Sequence, residues 1–124
     1  PRRTNGGKPG ALTMVLSMRG PSRSLAEGVI SKDGTAAFRV TSHPFAHALA
    51  KVLGRPIVST SANIAGGPNP YMIEAILEAF EKKDMKPDIV IDAGELPKRP
   101  PSTIIRIVDD KTEVIRQGEI KIIF

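Results

Sequence analysis

The chain has 124 residues, no cysteine, a formal net charge of +5 and only 4% aromatic residues. This composition predicts one domain, excludes disulfides and cysteine-based zinc sites, and fits a reducing, cytoplasmic setting. The positive charge favours an anionic partner such as nucleotide phosphates or RNA, although proteins that bind nothing acidic often carry it too. Few aromatic residues argue against a base-stacking surface for single-stranded nucleic acid. No apolar run approaches the roughly 20 residues of a membrane span, so no membrane partner is expected.

The first part of the chain is predicted to hold a flexible basic arm, one strand and one short helix. Residues 1–8 are basic and rich in glycine, and they lack the apolar core of a signal peptide. An apolar run near residues 12–17 predicts a strand. After it, Ser22 or Ser24 could cap a short helix that ends at Ile30.

A turn and a second strand follow. Residues 32–34, Lys-Asp-Gly, are typical of a turn, and the next six residues predict a strand at 35–40. The alternation of a strand places Thr35 and Arg39 on the same face. An arginine at a strand end is most often a surface charge, but one flanked by apolar residues more often has an anionic partner.

A helix is predicted at 44–53. Pro44 suits its first turn, apolar residues recur at helical spacing, and Gly54 ends it. His43 and His47 have the spacing of a two-histidine zinc site on a helix. Because no third ligand is nearby, we predict no metal site.

The stretch from 56 to 70 is the first candidate for ligand binding. An apolar run predicts a buried strand near 56–59, and small polar side chains follow before the next helix. Ligands bind at such strand ends in open α/β sheets, and Gly66 and Gly67 let the backbone approach a ligand closely. The alternative, a polar loop that only caps the next helix, stays equally open. The polar residues are Ser59, Thr60, Ser61 and Asn63.

The remaining residues predict one more helix and three more strands. The helix covers about 71–83 and carries an apolar stripe. Strands are expected near 88–92, 103–108 and 113–116, with residues 109–111 forming the turn of a hairpin. The whole pattern predicts an α/β fold with a twisted mixed sheet flanked by helices.

Several short segments stand in a characteristic order along the chain. They are Pro9–Gly10–Ala11–Leu12–Thr13, Gly34–Thr35–Ala36–Ala37–Phe38–Arg39–Val40, His43–Pro44, Leu53–Gly54–Arg55–Pro56, Ser61–Ala62–Asn63 with Gly66 and Pro68, Asp92–Ala93–Gly94, Ser102–Thr103–Ile104–Ile105, and Ile115–Arg116–Gln117–Gly118. In this order, from Pro9 to about Gly118, they resemble the YrdC-like threonylcarbamoyl-AMP synthase family. No single motif is decisive, and the specificity lies in the ordered set.

The resemblance implies an adenylate-forming reaction. Members of the family join threonine and bicarbonate, and the resulting carbamate attacks the α-phosphate of Mg-ATP with loss of pyrophosphate. The product then modifies an adenosine beside the tRNA anticodon through partner proteins. Such a transfer needs positioning and charge neutralisation more than a protein nucleophile, so no catalytic residue is predicted.

The resemblance also implies which residues bind each substrate. An arginine can hold a carboxylate or a phosphate through paired hydrogen bonds, which suits Arg39 to threonine and Arg116 to ATP. Asn69 stands where the family more usually has serine. The implied contacts are Thr35, Ser61, Asn69 and Arg116 for ATP, and Arg39, Ser59 and Ser102 for threonine.

By this resemblance, residues 1–124 are expected to form a single YrdC-like domain that lacks its N-terminal half. Whether the chain is active alone stays open, because the missing half would grip threonine and the triphosphate. The apolar surface left uncovered predicts a homodimer or a marginally stable monomer.

Two other functions stay open at this point. One is the related carbamoyl-adenylate-forming domain of hydrogenase-maturation carbamoyltransferases, although the zinc-finger and acylphosphatase parts of those long chains do not occur here. The other, from a different class, is a non-catalytic module that binds double-stranded RNA or tRNA through its positive charge.

Overall fold

The structure is a computed structural model that describes residues 10–18, 25–81, 83–108 and 111–123. Two compact units divide the chain: Pro1–Val58 together with Pro100–Phe124, and Ser59–Arg99. The first unit is formed by the two ends of the chain, and the second by the segment between them. The α/β class predicted from the sequence is confirmed, with a mixed sheet and two helices in the described residues.

The first unit is built on a four-stranded mixed sheet. Its strands are β1 (Leu12–Ser17), β2 (Thr35–Phe38), β3 (Thr103–Val108) and β4 (Lys111–Arg116), in the spatial order β2-β1-β3-β4. β1 runs antiparallel to β2 and parallel to β3, and β3 and β4 form an antiparallel pair. The predicted strands at 12–17 and 103–108 are therefore confirmed, as is the pairing of 113–116 with 103–108. β4 begins earlier than predicted, at Lys111, which the sequence placed in the turn, and residues 109 and 110 lie outside the described residues.

The sheet has one apolar face, because alternate side chains of each strand point to the same side. Its most buried residues are Ala36 at 3% exposure, Ile105 at 7% and Thr103 at 0%. The hydroxyl of Thr103 is satisfied by the C-terminal segment, since it donates to the carbonyl of Ile120 and accepts from the backbone N–H of Gly118 at 3.0 Å. The core of this unit is thus small and depends on the segment that follows β4.

The two helices are α1 (Pro44–Leu53) and α2 (Ile73–Glu81). α1 confirms the predicted bounds: Pro44 occupies its first turn, and Gly54 caps it in the left-handed region at φ 64° with its N–H on the carbonyl of Ala50 at 3.0 Å. α2, in the second unit, is shorter than the predicted 71–83. Across the described residues, no helix combines the length and the apolar character that crossing a membrane requires.

Two predicted strands, near 56–59 and 88–92, are wrong: neither forms a strand in the structure. Their apolar side chains are exposed, with Val58 at 64% and Ile89 at 80%. β-propensity only identifies a segment that suits a half-buried pleated surface, whereas a strand also needs a neighbour for its backbone groups. The local sequence identifies apolar runs here, but in the described residues no other strand pairs with them.

Two further boundaries also differ from the prediction. The strand expected at 35–40 ends at Phe38, so Arg39 lies beyond it. The described residues 25–30 form bends and turns instead of a helix ending at Ile30, while Ser22 and Ser24 lie outside the described residues. Within this segment a hydrogen-bonded turn forms, with the N–H of Val29 donating to the carbonyl of Ala26 at 3.3 Å.

The segment after β4 approaches the start of β3 so closely that only glycine fits at position 118. A Cβ on Gly118 would lie 2.1 Å from the carbonyl oxygen of Pro101 and 2.6 Å from the carbonyl carbon of Ser102. These are backbone atoms, so they cannot rotate away as the end of a side chain can. The absence of a side chain at Gly118 therefore allows the C-terminal segment to pack against the start of β3.

We predict that Gly118→Ala lowers the free energy of unfolding by about 1–3 kcal/mol, the usual cost of overpacking. Urea denaturation of both proteins measures the difference. Gly67→Ala is the comparison variant, because its Cβ would meet the carbonyl oxygen of Ile64 at 3.1 Å, a tight contact but much milder than the overlap at Gly118. An equal loss in the two variants would show that the close approach at Gly118 has no special cost.

Candidate functional site

The second face of the sheet in the first unit carries polar side chains. Strand register places Thr13 of β1 beside Ile104 of β3, and Ser17 of β1 beside Thr35 of β2. Because Thr13 and Ser17 are four residues apart on one strand, their side chains share a face and their positions are about 13 Å apart. The face therefore has two polar ends, one next to Thr13 and the other next to Thr35.

At the first end, Ser102 forms hydrogen bonds with residues of both β1 and β4. We call the three residues Thr13, Ser102 and Arg116 the Ser102 corner. The Oγ of Ser102 lies 2.8 Å from the Oγ1 of Thr13, and either hydroxyl can donate. Arg116 donates from Nε at 3.2 Å and from Nη2 at 2.9 Å to the carbonyl of Ser102, and from Nη2 at 3.3 Å to its Oγ. Ser102 is buried at 9% exposure, so this corner is well ordered by its own contacts.

Arg116 keeps its charge available at this corner. Its hydrogen bonds to Ser102 use Nε and Nη2 and leave the Nη1 donors without a hydrogen-bond partner among the described residues. The single ion pair found in the described part of the chain joins Arg106 to Asp33, so no described carboxylate neutralises Arg116. A guanidinium with spare donors and no carboxylate beside it suits a phosphate or a carboxylate of a ligand.

At the other end, four residues form what we call the Asp33 cluster: Ser31, Asp33, Thr35 and Arg106. The hydroxyl of Thr35 donates to Oδ1 of Asp33 at 2.8 Å, and the backbone N–H of Thr35 donates to the same oxygen at 3.2 Å. Ser31 also donates to Oδ1 of Asp33, and its Oγ lies 2.9 Å from that of Thr35. Arg106 approaches the second carboxylate oxygen at 4.0 Å. Thr35 is thus buried at 9% exposure with its hydroxyl proton already engaged.

The Asp33 cluster favours the charged form of its carboxyl group. Hydrogen bonds from Ser31, and then from the side chain and backbone of Thr35, lower the pKa of Asp33, and the charge of Arg106 acts in the same direction. Desolvation of the carboxylate acts in the opposite direction and raises the pKa. The hydrogen bonds thus stabilise the fold more when the Asp33 carboxyl is ionised than when it is protonated.

Arg39 is not placed by the predicted strand. Strand β2 ends one residue before it, and its side chain is exposed. Because the assigned strand stops at Phe38, alternation along β2 does not by itself set Arg39 beside Thr35. Its assignment to threonine depends only on the resemblance and stays a prediction.

The second unit contains the other predicted contacts, Ser59, Ser61 and Asn69, all of which are exposed. The loop that carries them is closed by Asn63, whose Nδ2 donates to the carbonyl of Gly67 at 2.8 Å and to that of Ile64 at 3.1 Å. The Nδ2 group of Asn63 therefore shapes the loop.

A cavity of about 400 Å³ in the second unit includes Asn69 in its wall. Tyr71 and Lys98 also line it, and the Nζ of Lys98 lies 5.9 Å from the centroid of the tyrosine ring. The backbone N–H of Leu96 donates to the carbonyl of Tyr71 at 2.7 Å and holds the two walls together. The size lies within the range of small-molecule sites.

The structure brings Ser102 and Arg116 into contact, and it places Thr35 on the same face of the sheet but at the opposite end. The convergence of the whole predicted set stays a prediction, since Ser59, Ser61 and Asn69 belong to the second unit. Sequence reasoning did not single out Thr13, Asp33 or Arg106 as site residues. The sequence shows Thr13 only as a polar residue in an apolar strand, and Asp33 only as part of a turn.

We predict that Asp33 makes stability depend on pH in the acid range. Its lowered pKa means that its contribution is complete above about pH 4, the usual pKa of an aspartate, and is lost as the pH falls through the lower pKa of the folded state. The difference in unfolding free energy between wild type and Asp33→Asn should therefore shrink as the pH is lowered from about 5 to about 2.

Urea denaturation across that pH range measures the effect. Glu27→Gln, which removes an exposed carboxylate outside the sheet, controls for the general loss of a negative charge. A gap between wild type and Asp33→Asn that does not change with pH would contradict the role of the cluster.

The Sua5/YciO/YrdC family, described as telomere recombination, matches residues 4–118. A protein of Methanocaldococcus jannaschii that carries a provisional threonylcarbamoyl-AMP synthase name is 37% identical over 92% of this chain, which covers 50% of that protein. The threonylcarbamoyl-AMP synthase of Bacillus subtilis (strain 168) is 31% identical over 90% of this chain and 31% of its own length. The chain therefore spans half or less of these two relatives.

Solved structures show the same likeness. The crystal structure of P. abyssi Sua5 complexed with L-threonine has a TM-score of 0.72 and 32% identity, and the match covers 89% of this chain and 31% of that one. The crystal structure of E. coli YciO has a TM-score of 0.67 and 35% identity, with 90% of this chain and 52% of that one covered. Together with the match over residues 4–118, these findings show that the chain belongs to the Sua5/YciO/YrdC family.

Proposed function

We propose that this chain forms part of the substrate site of a threonylcarbamoyl-AMP synthase. The names of the M. jannaschii and B. subtilis relatives support the reaction, and the threonine in the Sua5 structure supports that amino acid as the substrate. Because the chain spans half or less of these two relatives, the complete activity requires the remainder of such a protein. The reaction would join threonine, bicarbonate and Mg-ATP, with magnesium entering as part of the nucleotide substrate.

The observation that carries the proposal is the Ser102 corner. Arg116 lies there without a carboxylate partner in the described residues, and beside it is a hydroxyl that can donate or accept. The substrates carry anionic groups, namely the carboxylate of threonine, bicarbonate and the phosphates of ATP, and negative charge builds up at the reacting phosphate during the transfer. A fixed guanidinium at the sheet face is therefore the kind of group that the reaction needs.

The residues of this chain act by binding and orienting. We assign ATP to Thr35, Ser61, Asn69 and Arg116, and threonine to Arg39, Ser59 and Ser102. The cavity beside Asn69 supports a small-molecule contact at that residue. The carbamate formed from threonine and bicarbonate attacks the α-phosphate and pyrophosphate leaves, so the protein supplies neither a nucleophile nor a covalent intermediate.

The hydrogen bonds of Thr35 restrict its part in this assignment. Because its hydroxyl proton is engaged by Asp33, Thr35 has lone pairs to offer a ligand but no free proton. Thr35 would therefore accept a hydrogen bond from an N–H or O–H group of the nucleotide, or from a water molecule. It would not donate a hydrogen bond to a phosphate oxygen.

The product would be used in tRNA modification by partner proteins in the cytoplasm. The alternative, a non-catalytic module for double-stranded RNA or tRNA, draws its support from the net charge of +5. Salt separates the two: RNA binding should weaken steeply between low and moderate salt, whereas adenylate formation should require threonine, bicarbonate and Mg-ATP together.

We predict that Arg39→Ala and Arg116→Ala have different effects. Arg39→Ala should abolish threonine binding, because it removes a charge-assisted partner of the carboxylate worth about 1.5–3 kcal/mol. Arg116→Ala should weaken Mg-ATP and spare threonine. Calorimetry of each variant with each ligand measures both effects.

Lys51→Ala, which removes an exposed positive charge on α1, is the control for net charge. Unchanged threonine affinity in Arg39→Ala, when wild type binds threonine, would refute that assignment. If wild type binds neither ligand, the remaining half of a family domain should be supplied as a second polypeptide. Failure to bind even then would refute the proposed function.

A further inference from the structure

The Ser102 corner contains a residue to which no role has yet been assigned, Thr13. It lies on β1, and its hydroxyl meets that of Ser102 at 2.8 Å across the parallel pair of β1 and β3. The two residues are 89 positions apart in the sequence, so only the sheet brings them together. Thr13 is half-buried on the polar face and has no other side-chain hydrogen bond among the described residues.

The hydrogen bonds at Ser102 restrict what this hydroxyl can offer a ligand. A serine hydroxyl has one proton and two lone pairs. One lone pair accepts from Nη2 of Arg116 at 3.3 Å. If Thr13 donates to the second lone pair, the proton of Ser102 is left to donate outward. If Ser102 donates to Thr13 instead, its hydroxyl has no proton left to donate to a ligand.

The charge of Arg116 decides between these arrangements when a ligand is present. Because no described carboxylate neutralises Arg116, the corner attracts an anionic oxygen. Such an oxygen can only accept hydrogen bonds, so the hydroxyl of Ser102 donates to it. The hydroxyl of Thr13 then donates to the oxygen of Ser102. The resulting chain, Thr13 to Ser102 to ligand, strengthens each bond through polarisation.

We propose that Thr13 is a positioning residue that orients Ser102 to donate a hydrogen bond to an anionic oxygen of the substrate. The anionic oxygen belongs either to the carboxylate of threonine or to a phosphate of ATP, and the assignment of Ser102 to threonine makes the carboxylate the expected one. This inference depends on the proposed function and adds to it a residue and the chemistry of its contact. Thr13 does not touch the substrate itself.

The test uses Thr13→Val, which keeps the branched shape suited to a strand but removes the hydroxyl. Calorimetry should show threonine binding weakened about five- to tenfold, the usual effect of one lost hydrogen bond, with Mg-ATP binding changed less than about twofold. Thr13→Ser restores a hydroxyl and should restore the affinity. Thr112→Val makes the same substitution at an exposed position of β4 and is the matched control.

The two ligands separate the possible outcomes. A loss confined to Mg-ATP would support the same chain of hydrogen bonds with a phosphate oxygen as the acceptor. An equal loss for both ligands would mean that Thr13 acts only on the fold and would overturn the inference, as would a Thr13→Val variant that behaves like Thr112→Val. If wild type binds neither ligand, even with the remaining half of a family domain supplied, the proposed function and this inference both fail.

Discussion

The parallel pairing of β1 with β3 is the interaction on which the first unit depends. It joins residues 12–16 to residues 103–107, and no other contact between strands links the first part of the chain to the last within the described residues. Closing so long a loop has an entropic cost that grows only slowly with length, and the pair offsets it by burying Ile105 and Thr103. The same pairing brings Thr13 beside Ser102.

The two ends of the polar face show how neighbours determine what a hydroxyl can do. At Thr35 the hydroxyl donates its hydrogen bond to the nearby carboxylate of Asp33, which leaves only lone pairs for a ligand. At Ser102 the nearby guanidinium of Arg116 occupies a lone pair and favours an outward proton in the presence of an anion. Serine and threonine have the same functional group, so the difference in chemistry comes from the partner and not from the residue type.

Exposed apolar residues are the second physical feature of this chain. The runs at 56–59 and 88–92 have the composition of strands, and the largest side chains of α1 are also exposed, with Val52 at 86%. These surfaces occur in a chain that spans half or less of the M. jannaschii and B. subtilis relatives. Exposed apolar surface of this kind is typical of interaction sites, and the apolar residues themselves do not specify what would cover it.

The sequence by itself determined the elements whose signals are local. Pro44 and Gly54 mark both ends of α1, because a proline at a first turn and a left-handed glycine cap depend on the adjacent backbone alone. The alternation and β-branched residues of β3 likewise identify a strand, and the ordered motifs identify the family. The amino-acid sequence alone is therefore sufficient for the α/β class, and the predicted strands already put Ser102 at the start of one strand and Arg116 at the end of its neighbour.

Only the tertiary structure decided which apolar runs become strands and how the site hydroxyls are polarised. Residues 56–59 and 103–108 have similar local preferences, but only the second run finds a strand to pair with in the described residues. Thr13, Asp33 and Arg106 acquire their places in the site from strand register and from contacts between distant parts of the chain. Pairing and hydrogen-bond direction are properties of two partners, so the local sequence of either partner cannot specify them.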